Sequence, residues 1–387
     1  MIIEIGNVKR KKKIYAGDQL YPLVLASVGA SQDSDSIERE VAKSVAAEKY
    51  GANIVIDHTL TPDNYVLQQK ILENTDIPLS SIAVYDVAAA ALYEKRETFS
   101  ASDVLGAFEE KAKLGLDLIT VHGGVRMENI RELRESGRII PSTSRGGTMV
   151  IKNMQRTGEE NYYYTYFEKL LEIAKKYSVT VSLGTTFRPA TINDAINENG
   201  LYYMELKQNA ELVLMAQSMG VGVMVEGIGH CPINLTPKIV KESIDICHGA
   251  PYRVLTVSTD CALGFDHVSS AISSAVAVQS GASFVTAVSR SEHLGLPEAD
   301  DLKEAVTAAK IAVHSGYIAR SGDISKDMEM ARARESQGCR GSVSASIIPE
   351  VTREALLKEK RGDGTKKCGM CGPFCALDSL DDINRSR

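Results

Sequence analysis

No stretch of this chain comes near the roughly 18 consecutive apolar residues that a membrane-spanning helix needs, so no helical span is predicted. The N-terminus carries no apolar core of a secretory signal. Basic residues are not in excess. The formal net charge is −6, which argues against a nucleic-acid footprint. The single basic run, Lys9 to Lys13, is short and isolated and reads as a solvated loop. Tryptophan is absent too, and that excludes nothing. Without a secretion signal, seven cysteines point to a reducing cytoplasm and to free or metal-bound thiols. What remains is a chain of 387 residues with 44% hydrophobic content, enough for one large globular domain or two medium ones.

Three of the thiols are crowded near the end. Cys368, Cys371 and Cys375 form a Cys-x2-Cys-x3-Cys run with no fourth cysteine equally close. Three thiolates can hold three corners of a cubane iron–sulfur cluster and leave the fourth iron open for a ligand. A zinc site completed by histidine fits the same spacing. Cys339 is a conceivable fourth thiol, and Cys231, Cys247 and Cys261 read as small core residues.

The body of the chain alternates short apolar runs with longer helical patterns. Eight runs have strand character: 23–28, 53–57, 81–85, 118–122, 179–183, 222–226, 253–257 and 283–288. They are rich in valine and isoleucine, as strands buried on both faces should be. Helical patterns span 36–50, with Asp33 and Asp35 as candidate caps, then 64–74, 102–114, 162–177, 204–219, 237–247, 267–280 and 302–315. The stretch between the fourth and fifth strands holds an extra helix at 127–136 and a loop at 139–147, with a helical turn at 148–154. Eight βα units in series predict a (β/α)8 TIM barrel over 1–320, with a doubly wound open sheet as the alternative. From 321 to 387 the pattern predicts charged helices at 324–336 and 349–360, then a polar lead into the cysteine tail.

Active sites of such barrels lie at the C-terminal ends of the strands. Here those ends carry Ser31, Asp57 and His58, Tyr85 and Asp86, His122, Arg188, Glu226 and His230, Asp260, and Glu292 and His293. Packing alone hardly explains so many polar ends on one rim, because burying ionisable groups without partners is costly. His230 and His293 are either a divalent-metal pair or hydrogen-bonded rim histidines. Ser144, Arg145, Gly146 and Gly147 suit a phosphate, since glycines let backbone N–H groups approach an anion and arginine adds a guanidinium fork. An ordinary glycine turn would read the same. Arg188 is a second anion candidate.

Several pieces then match together: the Ser144–Gly147 run, Phe187-Arg188-Pro189, Glu226-Gly-Ile-Gly-His230-Cys-Pro232, Cys247-His-Gly-Ala-Pro251, Asp266-His267, Glu292-His-Leu-Gly-Leu-Pro297 and the cysteine tail. With them the chain resembles the ThiC family of phosphomethylpyrimidine synthases, atypical radical S-adenosylmethionine (SAM) enzymes of thiamine biosynthesis. The resemblance runs from about Leu23 to the C-terminus. It implies a homodimeric barrel whose tail, carrying a [4Fe–4S] cluster, reaches over the partner's barrel mouth. It implies SAM bound at the open iron beside a metal, zinc or another divalent ion. It further implies an external reductant and a 5′-deoxyadenosyl radical. That radical would start the rearrangement of aminoimidazole ribonucleotide to hydroxymethylpyrimidine phosphate, a lyase-type reaction. Carried over by position, Cys368, Cys371 and Cys375 hold the cluster and His230 and His293 the metal. Ser144, Arg145 and Gly146 hold the substrate phosphate. Tyr85, His122, Arg188 and Glu226 line the substrate, with Glu226 also in the catalytic set.

The chain departs from that pattern at named positions. The family's tail usually has one residue more between the second and third cysteines. Leu25 and Ser27 stand where the family has asparagines, and Thr185 where it has an acidic residue. Arg253 stands where a tyrosine is usual, unless that tyrosine has moved to Tyr252. The segment before the first strand is shorter than usual and lacks the customary helices. These changes keep three alternatives open: a 5-hydroxybenzimidazole synthase-like paralog of cobamide biosynthesis, a paralog acting on another phosphorylated heterocycle, and a non-catalytic zinc-binding barrel.

Overall fold

In the computed structural model, residues 1–31, 36–61, 64–198 and 200–357 are described. Strands β1 (Ile2–Ile5) and β2 (Ile14–Gly17) pair antiparallel as a hairpin. Then come β3 (Leu23–Val28), β4 (Ile54–Asp57), β5 (Leu79–Ile82), β6 (Leu118–Val121), β7 (Thr180–Leu183), β8 (Val223–Glu226), β9 (Tyr252–Val254) and β10 (Phe284–Ala287). These eight are parallel, pair in chain order and close through β10 on β3. The expected (β/α)8 barrel is therefore the fold.

Helices α1 (Ile37–Lys49), α2 (Asn64–Asn74), α3 (Ala83–Tyr93) and α4 (Ala101–Leu114) follow the first three barrel strands. Next are α5 (Met127–Glu135), α6 (Arg145–Thr157), α7 (Tyr162–Thr165), α8 (Phe167–Tyr177), α9 (Ile192–Ile196) and α10 (Leu201–Met219). The last of this unit are α11 (Thr236–Ile246), α12 (Asp266–Gln279) and α13 (Ala299–Ser321). The main apolar core lies between the outward faces of the strands and these helices. A second compact unit begins at Ser321. Its described part has α14 (Ser325–Gly341), a 3-10 turn at Ser342–Ala345, and α15 (Pro349–Leu357).

Inside the barrel, the two-residue alternation of strands sorts side chains into layers. Leu25, Ile54, Leu118, Met224 and Phe284 form an apolar layer. Ile3 and Ile5, the buried face of β1, pack into that layer from below. The hairpin is stitched to the N-terminal ends of the strands. Thr180 Oγ1 donates to the Glu4 carbonyl and the Asn7 N–H to Asp117. One closed end of the barrel is therefore dry. Two residues further along the same inward faces stand Ser27, Thr120, Glu226 and Thr286, and beyond them His58 and His122. The polar floor thus follows from strand alternation.

Several sequence expectations are corrected. The strand expected at 81–85 lies two to three residues earlier: β5 is Leu79–Ile82, and α3 starts at once at Ala83. Val84 and Tyr85 mimic strand residues, but Ala88–Ala91 favour helix and carry the segment with them. The loop at 139–147 ends early, because Ser144 caps a 13-residue helix from Arg145, far longer than the expected single turn. The pattern at 162–177 breaks into α7 and α8. The basic run at 9–13 is the turn of a hairpin that the strand count missed, and Arg10 pairs with buried Asp117 at 2.7 Å. Cys231 and Cys247 are buried as expected, but Cys261 is exposed. Ser36 caps α1; Asp33 and Asp35 lie outside the described residues, as do Cys368, Cys371, Cys375 and the Cys339 side chain.

Candidate active site

A cavity of about 410 Å³ opens at the C-terminal ends of the strands. Tyr85, His122, Ser144, Arg145, Gly146, Arg188, Glu226, His230 and His293 all line it, so these nine sequence-predicted residues converge on one place. Asp57 and Asp86 do not line it. Asp57 accepts from Thr59 and Gln68, and Asp86 pairs with buried Lys111 at 2.5 Å behind the barrel wall.

One corner of the cavity is built by the start of α6. Ser144 Oγ accepts from the Gly147 N–H at 3.2 Å and lies 3.1 Å from His122 Nε2. Gly146 packs flat on the His122 ring and Gly147 on Thr186, so a Cβ on either would overlap its neighbour. The Gly147 N–H is taken by the Ser144 cap, and the remaining first-turn N–H groups are donors of the kind an anion accepts. Arg145 adds a guanidinium, 5.6 Å from the Tyr85 ring centroid. Gly146→Ala will push His122 aside and weaken binding of a phosphorylated ligand by about tenfold or more, near 1.4 kcal/mol, read by titration calorimetry.

Glu226 is the buried centre. Arg253 Nη2 lies 2.9 Å from its Oε1, and Thr120 and Ser182 hydroxyls stand at 3.4 and 3.5 Å. Burial opposes ionisation, but the Arg253 and Arg188 guanidiniums outweigh it and hold the Glu226 carboxyl below the usual carboxylate range. Burial, reinforced by Arg253 and Arg145, drives His58 down to about 3. Burial drives His122 down to about 4. At neutral pH the floor therefore holds neutral imidazoles, one carboxylate and two guanidiniums.

Arg188 is set by its loop. Its Nη1 donates to the Thr185 carbonyl at 2.6 Å. Buried Glu205, on α10, accepts the Thr186 and Phe187 N–H groups at 2.8 and 2.7 Å. Burial pushes this carboxyl up to about 7. Its folded pKa lies above the unfolded value near 4.5, so the folded chain binds the extra proton. Stability then falls as pH rises from about 4.5 through 7, by up to ~3 kcal/mol. Melting scans across that window should show the fall, and Glu205→Gln should flatten it.

The two histidines face each other across the mouth with ring centroids 5.4 Å apart. His230 Nδ1 lies 2.6 Å from Asp260 and His293 Nδ1 3.0 Å from Asp266. A carboxylate on Nδ1 fixes the ring and leaves Nε2 as the ligating nitrogen, the usual support of a metal-bound histidine. The donor set therefore fits a metal pair. Among the described residues no group of three or more His, Cys, Asp or Glu converges, so the pair supplies two ligands only.

Lys43, Glu205 and Thr286 escaped the sequence reading, and Asp266 stood there only beside His267, not as the partner of His293. Lys43 is buried on α1, 2.6 Å from Glu40, and donates to the Pro297 carbonyl at the end of the His293 loop. The period-two alternation past Phe284 could have flagged Thr286. Nothing local marks the helix residues Lys43 and Glu205, since their partners are distant in sequence. Of the departures, Leu25 belongs to the apolar layer, whereas Ser27 and Arg253 line the cavity. Tyr252 points away and bonds to Tyr202 and the Ile228 N–H, so Arg253 holds the inward position.

Compared with known proteins, residues 1–382 match the model of the radical SAM ThiC family. The chain is 39% identical to the phosphomethylpyrimidine synthase of Thermoanaerobacter sp. (strain X514) over 388 aligned positions, covering 98% of this chain and 89% of that protein. It is 36% identical to the phosphomethylpyrimidine synthase of Thermus thermophilus, covering 96% and 85%. No described helix is long and apolar enough to cross a membrane.

Proposed function

Because the chain belongs to the radical SAM ThiC family, we propose that it rearranges a phosphorylated imidazole ribonucleotide of the aminoimidazole ribonucleotide type, as a phosphomethylpyrimidine synthase of thiamine biosynthesis or in a closely related reaction. The observation that supports this most is the meeting, in one cavity, of an anion corner, an ionised buried glutamate and a carboxylate-supported histidine pair.

The α6 N-terminus and Arg145 take the phosphate, and Arg188 adds a second cation. Glu226 accepts a hydrogen bond from the exocyclic amino group, which fixes the heterocycle over the floor. His122, neutral, shares a hydrogen bond with Ser144 Oγ and so ties the ring pocket to the phosphate corner. Tyr85 walls the cavity and keeps water off the ring. His230 and His293 would hold a divalent metal such as zinc. A [4Fe–4S] cluster on Cys368, Cys371 and Cys375, with SAM and an external reductant, would supply a 5′-deoxyadenosyl radical in a homodimer. Glu226 and Arg188 would hold the bound heterocycle in one orientation for that chemistry. Held geometry of this kind lowers barriers by removing orientational freedom before the chemical step.

The test is product analysis by mass spectrometry after the anaerobically reconstituted, reduced protein meets SAM and aminoimidazole ribonucleotide. Hydroxymethylpyrimidine phosphate together with 5′-deoxyadenosine is the expected result. A colourless protein that keeps only zinc after reconstitution would sink the radical reading. Cleavage of SAM without any pyrimidine product would keep the chemistry and reject this substrate.

A further inference from the structure

We propose that Arg253 and Thr286 set the substrate, receiving an exocyclic carbonyl oxygen, of a carboxamide or a carboxylate, carried on the heterocycle of the bound nucleotide. This rests on the reading that a phosphorylated imidazole ribonucleotide fills the cavity.

Arg253 is 2% exposed, on β9. Among the described residues Nη2 pairs with Glu226, and Nε and Nη1 have no hydrogen-bond partner. On the neighbouring strand, Thr286 Oγ1 is buried and unpartnered as well. Arg253 stands in register with Phe284, and Thr286 follows Phe284 by two residues on the same inward face. Beneath them lies the apolar layer of Leu25, Met224 and Phe284, which offers no acceptor. Both side chains line the cavity, so the cavity is where an acceptor can come from. A buried donor left without an acceptor costs about 1–3 kcal/mol, so three polar atoms held this way on one patch of floor call for a ligand oxygen. Phosphate is not that ligand group, because the α6 N-terminus, Arg145 and Arg188 already serve it. The Arg253–Glu226 pair is close to neutral, so a neutral carboxamide and an anionic carboxylate both satisfy the floor, and the test separates them.

Full-length, cluster-loaded protein is titrated anaerobically with 5-aminoimidazole ribonucleotide, its 4-carboxamide and its 4-carboxylate. The expected result is that one 4-substituted nucleotide binds about tenfold or more tighter than the parent, the loss from Thr286→Val being about threefold or more for that ligand alone. Arg253→Leu should bring all three affinities to within about twofold of the parent's value. Equal binding of the three by the wild-type protein, or tightest binding of the parent, overturns the inference and leaves the functional reading intact. An equal weakening of all three in either variant overturns it too. Binding of none overturns the functional reading and the inference with it. If Arg253→Leu does not fold, the wild-type ranking and Thr286→Val decide the matter.

Discussion

Replacing Cys375 by alanine will abolish reductive cleavage of SAM by the reconstituted protein while leaving the barrel's melting temperature unchanged. The first half follows from ligand arithmetic. Two thiolates cannot hold three corners of a cubane, so the cluster is lost or loses its iron. Iron content should fall, and 5′-deoxyadenosine should drop below detection. The second half follows from where the core lies. Among the described residues, the main hydrophobic cluster runs from Val24 to Val313 and the apolar layer adds Ile3 and Ile5, all inside the unit that ends at Arg320. A zinc site that merely staples the chain would behave in the opposite way, with loss of metal lowering the melting temperature. Cleavage that survives in the variant would remove Cys375 from the ligand set and bring Cys339 forward.

How much of this could be read before the structure is best judged at particular residues. The barrel was legible because each buried parallel strand is a near-continuous apolar run, and eight such runs alternating with helices leave few topologies. The convergence of His122, Arg188, Glu226, His230 and His293 was legible for the same reason, since strand ends share one rim. The β5–α3 junction was not, because a strand that turns straight into a helix leaves no loop residues to mark it. The N-terminal hairpin was hidden by its basic turn and four-residue strands, which are too short for alternation to register. The roles of Lys43, Glu205 and Asp266 were out of reach: Glu205 reads as an unremarkable helix residue until the loop carrying Arg188 closes onto it. Arg253 was visible as an unusual residue, but its pairing with Glu226 needed the closed barrel, which sets adjacent strands side by side.

That pair carries the largest stability effect expected within the barrel. Glu226→Ala leaves the Arg253 guanidinium buried without a counter-charge above an apolar layer. Removing one partner of a buried ion pair costs about 3–5 kcal/mol, and thermal or urea unfolding should show a loss of that size. Glu226→Gln keeps the shape and an acceptor oxygen and should recover most of the stability. It should still lose nearly all product formation, because a neutral amide answers neither the guanidinium nor the substrate's N–H groups as a carboxylate does. The pH dependence separates the two roles. The folded pKa of Glu226 is depressed, so its stabilising share is present above the unfolded value near 4.5 and is lost as pH falls through the lower folded value. His58 and His122 act earlier. Their folded values near 3 and 4 lie below the unfolded value near 6.5, so the unfolded chain takes up protons first and stability declines as pH drops below about 6.5. In Glu226→Gln the decline below pH 6.5 should persist with the same slope, since losing the carboxylate removes a charge that favours protonation of both imidazoles and so keeps them neutral to lower pH. The further drop below pH 4.5 should vanish. If instead the whole acid limb disappears with the glutamine, Glu226 rather than the histidines controls it, and the assignment of neutral imidazoles at the cavity floor is wrong.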